Sequence, residues 1–399
     1  VYSMAVDESC PLLQKCQSLG VATLSLPRAL SQFLESRYQV CVAGTHGKST
    51  TSGMIWSILR EAGCDPSAYV GGVMRSHCRS GVLGSGAVAV IESCEYRQSF
   101  LHLSPKMIVL TGIEPDHFDY FASQADCDQT FSDFAAQLPS EGPLIFNHDC
   151  QRSSAIAATC GRPTISFSLH GDADWNAVSC ETVAPGIHID SQQQTFQLRD
   201  RTRELGLVQI QMPGLHNRQN AVAAIAAAVA SGVSVESAVS GLAAFTGIQR
   251  RFEHRGQLAG IDWVDDYAHH PTAIRSTLET ARKVFSNRRV IAVFEPHQIS
   301  RLSALFADFC AALSLADECL ILPVREMASL AHCSRVSGTL VRSISESGGR
   351  AFLMTNLDQV LGRLDHSARP GDVVITMGAG RTHLIYEEIH RRLQRNSAA

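Results

Sequence analysis

Seven consecutive residues constrain the fold of this chain more than any other feature, namely Gly44, Thr45, His46, Gly47, Lys48, Ser49 and Thr50. They follow an apolar run, residues 40–43, and precede a helical pattern of apolar residues that ends at Gly63. A strand, a glycine-rich loop and a helix in this order are typical of a phosphate-binding loop, whose backbone N–H groups and helix N-terminus bind phosphate. We predict that the lysine contacts phosphate oxygens and that the first serine hydroxyl binds Mg²⁺.

The alternative interpretation of this segment is a glycine-rich turn with a surface lysine. The motif is also shorter than usual, since Val42 stands where the first glycine of such a loop commonly occurs. The strand and helix patterns on either side favour the phosphate-binding interpretation.

Composition limits the class of protein. The chain has 399 residues, enough for two or three domains, and a formal net charge of −4 with 18% charged residues. No basic patch indicates nucleic-acid binding, and the longest apolar stretch, residues 221–230, is too short to cross a membrane. The 13 cysteines contain no Cys-x-x-Cys pair and no signal peptide is recognised, which predicts a reduced cytoplasmic protein.

Residues 1–37 read as the end of a domain. A short strand is predicted at residues 1–6, followed by helices at residues 11–19 and 27–34 with a β-like step at residues 21–24 between them. Because the strand has no preceding start, we infer a fragment or a shortened form that retains only a remnant of an N-terminal domain.

Residues 38–248 read as a central α/β domain. Helical stretches separate four apolar runs, which predicts a mostly parallel sheet with strands at residues 40–43, 88–91, 108–110 and 144–146. The pattern then changes, and short alternating runs predict antiparallel strands at residues 187–189, 195–198 and 208–212. An alanine-rich helix is predicted at residues 217–231.

Residues 249–399 read as a second, Rossmann-like doubly wound α/β domain, entered through a hinge at residues 247–256. Helices are predicted after Pro271 and at residues 302–315 and 384–393. A strand is predicted to end in residues 263–267, and further strands are predicted at residues 290–294, 318–322, 350–353 and 372–377.

Acidic and histidine side chains follow two strands of the predicted central sheet. Glu92 ends one strand, and His117 lies in the run Ile-Glu-Pro-Asp-His-Phe-Asp after another. Ligands of open α/β sheets bind beyond the carboxyl ends of the strands, so Glu92 is a candidate Mg²⁺ ligand, and His117 is a candidate to hold a second ion or to orient the first. The alternatives are a helix-capping or surface glutamate and a surface histidine satisfied by its acidic neighbours.

Two further candidate sites lie near the boundary between the central and the last predicted domain. Asn217 and Asn220 open the alanine-rich helix, and their amide groups match the hydrogen-bonding edge of adenine. The alternative for Asn217 is a helix N-cap. Arg250 and Arg251 lie at the predicted hinge, where an arginine fork matches phosphate oxygens.

Two polar runs follow strands of the second predicted domain. Their sequences are Asp-Asp-Tyr-Ala-His-His-Pro, from Asp265, and Glu-Pro-His-Gln-Ile-Ser-Arg, which ends at Arg301. Their positions predict ligand-binding loops, and the arginine is suited to hold a substrate carboxylate.

Seven motifs occur in order along nearly the whole chain, namely Gly-Thr-His-Gly-Lys, Ile-Glu-x-Asp-His-x-Asp, His-Asn-x-x-Asn, Arg-Arg-Phe-Glu, Asp-Asp-Tyr-x-His-His-Pro, Phe-x-Pro-His and Gly-Ala-Gly. In this set and order the chain resembles the Mur ligase family, the ATP-dependent amino-acid ligases of peptidoglycan precursor synthesis. The resemblance implies three domains: a UDP-binding unit represented only by residues 1–37, a central ATPase domain at residues 38–248, and an amino-acid-binding domain at residues 249–399.

The resemblance also implies roles for individual residues. It places Lys48 at the phosphates of ATP, and it gives as Mg²⁺ ligands Ser49, Glu92 and His117. It assigns Asn217 and Asn220 to the adenine region. It places Arg251 and Asp266 at ATP, where the two domains join. It places four residues near the incoming amino-acid substrate, namely Tyr267, His270, His297 and Arg301.

Within the family, the motifs are most similar to the branch that joins L-alanine to UDP-N-acetylmuramate, and these are the implied substrates. In the implied reaction, with ATP and Mg²⁺, the substrate carboxylate attacks the γ-phosphate and the amine then attacks the resulting acyl phosphate. No covalent nucleophile is required, because the implied catalytic residues position groups and stabilise charge; they are Lys48, Glu92, His117 and Arg251. The base for the amine and the oligomeric state stay open.

Several positions depart from the usual family pattern, among them Ser49, Cys94, Gly112, Gln298 and Arg381. They leave open a related ligase that adds a recycled tripeptide or another amino acid, and a homologue that binds ATP without catalysis. A phosphate-loop phosphotransferase is the weaker alternative, because it leaves the two polar runs of the last domain without a role.

Overall fold

The computed structural model describes residues 1–4, 6–7, 9–179, 193–201, 203–326 and 329–397. One compact unit contains the described residues of Val1–Ile187, Thr195–Gln211 and Asn217–Thr246, and a second contains those of His188–Gln194, Met212–His216 and Gly247–Ala399. Among the described residues, every helix is too short or too polar to span a membrane. The predicted limits of the three domains stay a prediction.

The N-terminal residues contain two short helices, α1 (Pro11–Ser18) and α2 (Leu26–Phe33). Each has a proline in its first turn, where the missing N–H group breaks no helical hydrogen bond. The predicted strand at residues 1–6 is wrong: in the described part of this segment only Tyr2 pairs, through one β-bridge to Ser25. Pairing stops there because α2 begins at the next residue, and the β-like step before it forms no strand.

Ten strands form one sheet among the described residues of the first unit. They are β1 (Tyr38–Ala43), β2 (Ser67–Met74), β3 (Arg79–Val82), β4 (Val88–Glu92), β5 (Met107–Leu110), β6 (Leu144–Asn147), β7 (Thr164–Ser168), β8 (Trp175–Ser179), β9 (Gln194–Asp200) and β10 (Glu204–Ile210). Their order is β10-β9-β8-β7-β6-β5-β1-β4-β2-β3. Neighbours from β2 through β4, β1, β5, β6 and β7 to β8 run parallel, which confirms the mostly parallel sheet.

The antiparallel strands predicted after β6 are found in part. The run at residues 195–198 lies in β9, which pairs antiparallel with β8, and the run at residues 208–212 begins inside β10, which ends at Ile210. Residues 187–189 lie outside the described residues. At the other edge of the sheet, β3 pairs antiparallel with β2, a hairpin that the sequence patterns do not predict.

Six α-helices and one 3₁₀ helix accompany this sheet in the described residues. They are α3 (Lys48–Glu61), the 3₁₀ helix (Tyr96–His102), α4 (Gln124–Ala136), α5 (Gln151–Thr159), α6 (Leu215–Ala230) and α7 (Val235–Ala243), together with α2. Helix α3 is buried on nearly all sides and packs closely on α7: the Ser57 hydroxyl donates to the carbonyl of Gly241 at 3.0 Å. A Cβ atom at Gly241 would lie 2.7 Å from the Cα atom of Ile58, so this close approach requires glycine.

Six strands form the sheet of the second unit among its described residues. They are β11 (Glu253–Leu258), β12 (Ile261–Asp266), β13 (Val290–Phe294), β14 (Glu318–Ile321), β15 (Ala351–Leu353) and β16 (Val373–Met377). Their order is β11-β12-β16-β13-β14-β15, and all neighbours are parallel except the β11–β12 hairpin. The helices are α8 (Pro271–Val284), α9 (Ile299–Ala304), α10 (Phe306–Leu313), α11 (Leu330–Glu346), α12 (Leu357–Ser367) and α13 (Leu384–Ser397).

Both faces of this second sheet are covered, as the predicted doubly wound fold requires. Alternate residues of β13 enter different clusters: Val290, Ala292 and Phe294 pack in one, and Ile291 and Val293 pack in the other. A continuous apolar strand is typical of a parallel sheet that is buried on both faces.

Two details of the second unit differ from the prediction. The proposed hinge at residues 247–256 is wrong in its last part, because β11 begins at Glu253 and forms a hairpin with β12 through the turn at Ala259 and Gly260. The single helix predicted at residues 302–315 is two helices, α9 and α10, separated where the backbone of Leu305 leaves the helical region.

Candidate active site

The glycine-rich segment lies at the carboxyl end of β1, the strand between β4 and β5 in the first sheet. β1 ends at Ala43 and α3 begins at Lys48, so the predicted order of strand, loop and helix is confirmed. Val42, at the position of the missing glycine, is a fully buried residue of β1. The loop is therefore shorter because the strand continues through that position.

Both glycines of the loop have backbone conformations that favour glycine, with φ of 134° at Gly44 and 80° at Gly47. A Cβ atom at Gly44 would overlap the hydroxyl of Thr111, and one at Gly47 would overlap the side-chain amide of Asn220. A side chain at either position would displace these neighbours, so the close packing of the loop requires both glycines.

The segment after β5 holds the loop in place. The backbone N–H of Thr45 donates a hydrogen bond to the carbonyl of Gly112 at 2.8 Å. The Thr45 hydroxyl donates to the carbonyl of Glu114 at 3.1 Å and accepts from the Glu114 N–H at 2.9 Å. His46 lies 3.5 Å from the Glu114 carboxylate. The loop and the segment that leads to His117 are therefore tied together by backbone and side-chain bonds.

The Lys48 ammonium group is surrounded by acceptors at the start of α3. Its Nζ atom donates to the carbonyls of Gly44 and Thr45, the latter at 3.2 Å, and to Oε2 of Glu95 at 3.1 Å. Burial disfavours the charge on Lys48, but the acidic groups around it, Glu95 above all, together with the hydrogen bond to Glu95 outweigh this effect and raise the lysine pKa. Burial also opposes the charge on Glu95, yet Lys48 and a hydrogen bond from His117 lower its pKa to about 2.

The Lys48–Glu95 pair is therefore charged at neutral pH. Because the pKa of Glu95 falls from 4.5 to about 2 on folding, its contribution to stability is present above pH 4.5 and is lost as the pH falls towards 2. No sequence pattern predicts this pair, since 47 residues separate its members. The one available signal is a second glutamate three residues beyond Glu92, after the strand has ended.

Ser49 and Glu92 form the second contact at the loop. The Ser49 hydroxyl donates to Oε1 of Glu92 at 3.1 Å, while Oε2 of Glu92 accepts a hydrogen bond from the backbone N–H of Gly71. Ser49 and Thr50 are both buried in the first turn of α3. Serine and carboxylate oxygens at the mouth of the loop are the type of ligand that Mg²⁺ prefers.

His117 contacts Glu95 at a neighbouring position. Its Nε2 atom lies 3.6 Å from Oε1 of Glu95, and its ring packs on Tyr96 with 4.8 Å between ring centroids. The Tyr96 hydroxyl donates to Asp119 at 3.0 Å, which fixes the ring against which the histidine rests. The three predicted Mg²⁺ ligands thus divide between two contacts, Ser49 with Glu92 and His117 with Glu95.

Asn217 and Asn220 are buried near the start of α6, with 4% and 7% of their surface exposed. The N-cap alternative for Asn217 is wrong, because the helix begins two residues earlier at Leu215. The Asn220 amide donates to Oδ1 of Asn217 at 3.4 Å and packs against Gly47. The structure therefore brings Asn220 to the phosphate-binding loop, and the adenine role of both residues stays a prediction.

In the second unit, the two arginines after Gln249 share one neighbour, the ring of Tyr267, and differ in their other contacts. Arg250 is held by Oδ2 of Asp265, at 3.0 Å from its Nε atom, and by the carbonyl of Gly378 at 2.8 Å. Arg251 lies over the ring of Tyr267, with 5.2 Å from its guanidinium carbon to the ring centroid. Arg250 thus joins β12 to the end of β16, and both guanidinium groups lie over Tyr267.

Asp266 organises the loop that follows β12. Its carboxylate accepts hydrogen bonds from the N–H groups of Phe252 and Ala268 and, at 2.8 Å, from the hydroxyl of Thr277. Burial raises its pKa to about 6 despite the opposing charge of Arg251. This carboxylate fixes the backbone on both sides of the loop that carries the tyrosine and the histidines.

The remaining predicted residues of the second unit lie along the carboxyl ends of β12 and β13. His270 is buried and caps α8, where its Nδ1 accepts from the N–H of Thr272 at 3.3 Å. His297 faces His269, with 6.4 Å between ring centroids, and its pKa is lowered by burial and by the positive charge of Arg301. Arg301 is 3% exposed, in α9.

The Gly-Ala-Gly motif after β16 adjoins the same edge. Glu295, at the end of β13, accepts a hydrogen bond from the backbone N–H of Arg381 at 2.7 Å. A Cβ atom at Gly380 would overlap the Glu295 carboxylate, so glycine is required for this bond. The motif that follows β16 therefore lies against Glu295, the residue that follows β13.

Comparison with known proteins assigns the chain to a family. Residues 42–228 match the Mur ligase middle domain, and residues 250–380 match the Mur ligase glutamate ligase domain. The UDP-N-acetylmuramate–L-alanine ligase of Desulfitobacterium hafniense is 36% identical over 390 residues, which cover 98% of this chain and 85% of that protein. The chain belongs to the Mur ligase family. The family predicted from the order of its motifs is thereby confirmed.

Solved Mur ligases have the same fold. The UDP-N-acetylmuramate-alanine ligase of Thermotoga maritima superimposes with a TM-score of 0.81 at 22% identity, covering 99% of this chain and 84% of the other. A murein peptide ligase from Psychrobacter arcticus has a TM-score of 0.70 at 28% identity, covering 98% and 84%. The predicted Mur ligase fold is confirmed, whereas the roles of its individual site residues stay predictions.

Proposed function

We propose that this Mur ligase joins L-alanine to the carboxylate of UDP-N-acetylmuramate, with ATP and Mg²⁺, in peptidoglycan precursor synthesis. The observation that carries the proposal is the arrangement at the end of β1, where Lys48 and the Ser49–Glu92 contact lie at one glycine-rich loop. Relatives with the name of that ligase, at 36% and 32% identity over 98% and 100% of this chain, support the choice of substrates. These substrates are consistent with a cytoplasmic enzyme.

The loop residues fit the phosphates of a nucleotide. Gly44 and Gly47 have no side chain that could obstruct the loop at these two positions. Helix α3 starts directly after the loop, so the first N–H groups of the helix are available to an anion. Lys48 supplies a positive charge at the same point. We infer that Lys48 exchanges its contacts with carbonyl groups for phosphate oxygens and keeps Glu95 as its buried counter-ion.

The oxygen atoms of Ser49 and Glu92 fit Mg²⁺, which prefers hard oxygen ligands. When bound, the ion would reduce the negative charge of the phosphates and assist transfer of the terminal phosphoryl group. Glu92 is oriented for this role by the N–H of Gly71, which holds one carboxylate oxygen and leaves the other at the serine. His117 is the third candidate, through its position beside Glu95.

The proposed reaction has two steps. A carboxylate oxygen of UDP-N-acetylmuramate attacks the γ-phosphorus of ATP, the bond to the bridging oxygen breaks, and ADP leaves. The amine of L-alanine then attacks the acyl phosphate carbon, phosphate leaves, and the amine loses a proton. Lys48 stabilises the charge that develops on the transferred phosphoryl group, because it lies in a buried site where its electrostatic effect is large.

We assign binding of the amino acid to the polar edge of the second sheet. Arg301 is suited to its carboxylate, since a buried guanidinium offers a fixed fork of donors. Tyr267, His270 and His297 lie on the loops of the same edge, held by Asp266 and by the cap of α8. We propose that these residues determine which amine is accepted.

A second candidate function is ligation of a recycled peptide to the same sugar acid. It is favoured by the similarity to the murein peptide ligase from Psychrobacter arcticus, whose identity of 28% exceeds that of the Thermotoga maritima ligase, although its TM-score is lower. The two functions differ only in the amine that is accepted, so one assay separates them.

The test compares amines in a single assay that measures both ADP and the amide product. UDP-N-acetylmuramate is supplied with L-alanine, glycine, L-serine or the tripeptide that murein peptide ligases recycle. We expect the highest kcat/KM with L-alanine and one amide per ADP. A higher kcat/KM with the tripeptide would replace the first proposal by the second.

A further inference from the structure

Three side chains of different chemistry meet beside the Lys48–Glu95 pair. The sulfur of Cys94, a carboxylate oxygen of Glu95 and a ring nitrogen of His117 all lie within 4.8 Å of one another. Glu95 and His117 are largely enclosed, with side-chain exposures of 2% and 18%, whereas Cys94 is exposed. The cluster therefore combines two enclosed side chains with one exposed residue.

We propose that Cys94, Glu95 and His117 bind a thiophilic divalent cation, Zn²⁺, with water as the fourth ligand. Zinc prefers four-coordinate tetrahedral sites with sulfur, nitrogen and carboxylate ligands, and the bond lengths of such sites separate neighbouring ligand atoms by about 3.3–3.6 Å. The 3.6 Å distance between Nε2 of His117 and Oε1 of Glu95 already has this length. A rotation of the exposed Cys94 side chain completes the site.

The thiolate distinguishes this site from the proposed Mg²⁺ site at Ser49 and Glu92. Magnesium prefers oxygen ligands, whereas a cysteine sulfur selects zinc and similar softer ions. Binding breaks the S–H bond of Cys94, releases its proton to solvent and forms a metal–sulfur bond without any change of oxidation state.

The neighbours of the cluster hold its ligands in suitable orientations. Both carboxylate oxygens of Glu95 accept from Lys48, Oε2 at 3.1 Å and Oε1 at 3.4 Å, and Oε1 also faces Nε2 of His117. The His117 ring rests on Tyr96, whose hydroxyl bonds to Asp119 at 3.0 Å. Such outer contacts fix metal ligands and commonly affect metal affinity by about 10–100-fold.

Occupation of this site has a consequence for the ligase, and this step rests on the proposed function. The bound cation would withdraw negative charge from Glu95, the counter-ion of Lys48, and would engage His117. We therefore expect micromolar Zn²⁺ to inhibit the ligase at saturating Mg²⁺ and ATP. This inhibition is the secondary readout.

The primary test measures metal binding in the absence of nucleotide and substrate, so it does not depend on the proposed function. Purified full-length chain is titrated with Co²⁺, which replaces Zn²⁺ and gives a near-ultraviolet charge-transfer band when a thiolate binds it. We expect a band for one thiolate per chain, its disappearance on addition of Zn²⁺, and its loss in Cys94→Ser. Zn²⁺ binding by Cys94→Ser should be weaker by about 10–100-fold.

Cys78→Ser is the matched control, because Cys78 is also an exposed free cysteine but lies outside the cluster. It should keep the band of the native chain. An equal band in Cys94→Ser, or no band in the native chain, would overturn the proposal. A native chain with normal ligase activity and no Co²⁺ band would leave the proposed function intact and refute only the zinc site.

Discussion

Replacing Lys48 by alanine lowers the turnover number for amide formation by a factor on the order of 10²–10³ or more, the effect of removing one buried charge-stabilising donor from an active site. Lys48 is the cation at the start of α3, and it lies between the carbonyl groups of the glycine-rich loop and the Glu95 carboxylate. The neighbouring lysines in the sequence are Lys15 and Lys106, so no other lysine lies between residues 16 and 105. The measurement is the steady-state rate of ADP and amide formation.

A second variant separates the effect of Lys48 on catalysis from its effect on folding. Lys48→Ala leaves Glu95 buried without its counter-ion, which disfavours the charged carboxylate. The double variant Lys48→Ala with Glu95→Gln removes that buried charge, and we expect it to recover stability but not turnover. Lys106→Ala, at an exposed lysine, is the matched control and should keep native turnover. Native turnover in a folded Lys48→Ala variant would contradict the assignment of this loop to the phosphates.

Replacing Phe100 by alanine destabilises the first unit by about 3–5 kcal/mol, the usual effect of deleting a buried aromatic side chain. Phe100 is completely buried in the 3₁₀ helix after Glu95. Its ring stacks on Phe134 with 4.2 Å between centroids and meets the edge of Phe131 at 5.2 Å. Because the same short helix begins at Tyr96, directly after Glu95, the substitution should also loosen the contacts of His117.

The matched control is Phe33→Ala, since Phe33 is also a phenylalanine of a short helix but is 66% exposed. We expect it to change stability by less than about 0.5 kcal/mol. Hydrogen exchange of the backbone amides of β1 and β4 reports the stability of the first unit without assuming that both units unfold together. If Phe100→Ala lowered the free energy of unfolding by less than about 1 kcal/mol, the packing of Phe100 on Phe131 and Phe134 would not support this part of the site.

The phosphate-binding loop could be predicted from sequence because everything that defines it is local. An apolar strand, glycines at positive φ and a helix that begins with Lys48 lie within one short segment, and the structure has each of them. The parallel strands were predictable for a similar reason, since both faces of such sheets are buried and their strands are continuously apolar.

The Lys48–Glu95 pair and the packing of Tyr96 on His117 were not predictable. Their partners lie far apart in the sequence, and Glu95 precedes two residues, Arg97 and Gln98, whose backbones adopt positive φ. Such a backbone is disfavoured for non-glycine residues and is stabilised only by its surroundings. The sequence shows that a carboxylate is present at Glu95, but it does not show that the side chain points towards Lys48 and His117.

Errors in the predicted elements have similar causes. The strand expected at residues 1–6 has the right composition, but its partner segment enters α2 immediately after Ser25. The residues read as a hinge include β11, whose pairing with β12 depends on a turn further along the chain. In both segments the secondary structure depends on pairing with residues elsewhere in the chain, and local composition does not predict that pairing.

A heavy isotope of oxygen placed in the carboxylate of UDP-N-acetylmuramate shows directly whether that carboxylate is phosphorylated. If the carboxylate is activated by transfer of the terminal phosphoryl group, one labelled oxygen from each molecule must appear in the inorganic phosphate released with the L-alanine amide. We expect one labelled oxygen per phosphate in the native enzyme, and in Lys48→Ala we expect labelled phosphate to form at a rate lowered by the same factor as amide formation. Amide formation with unlabelled phosphate, or ADP release without any amide, would contradict this mechanism.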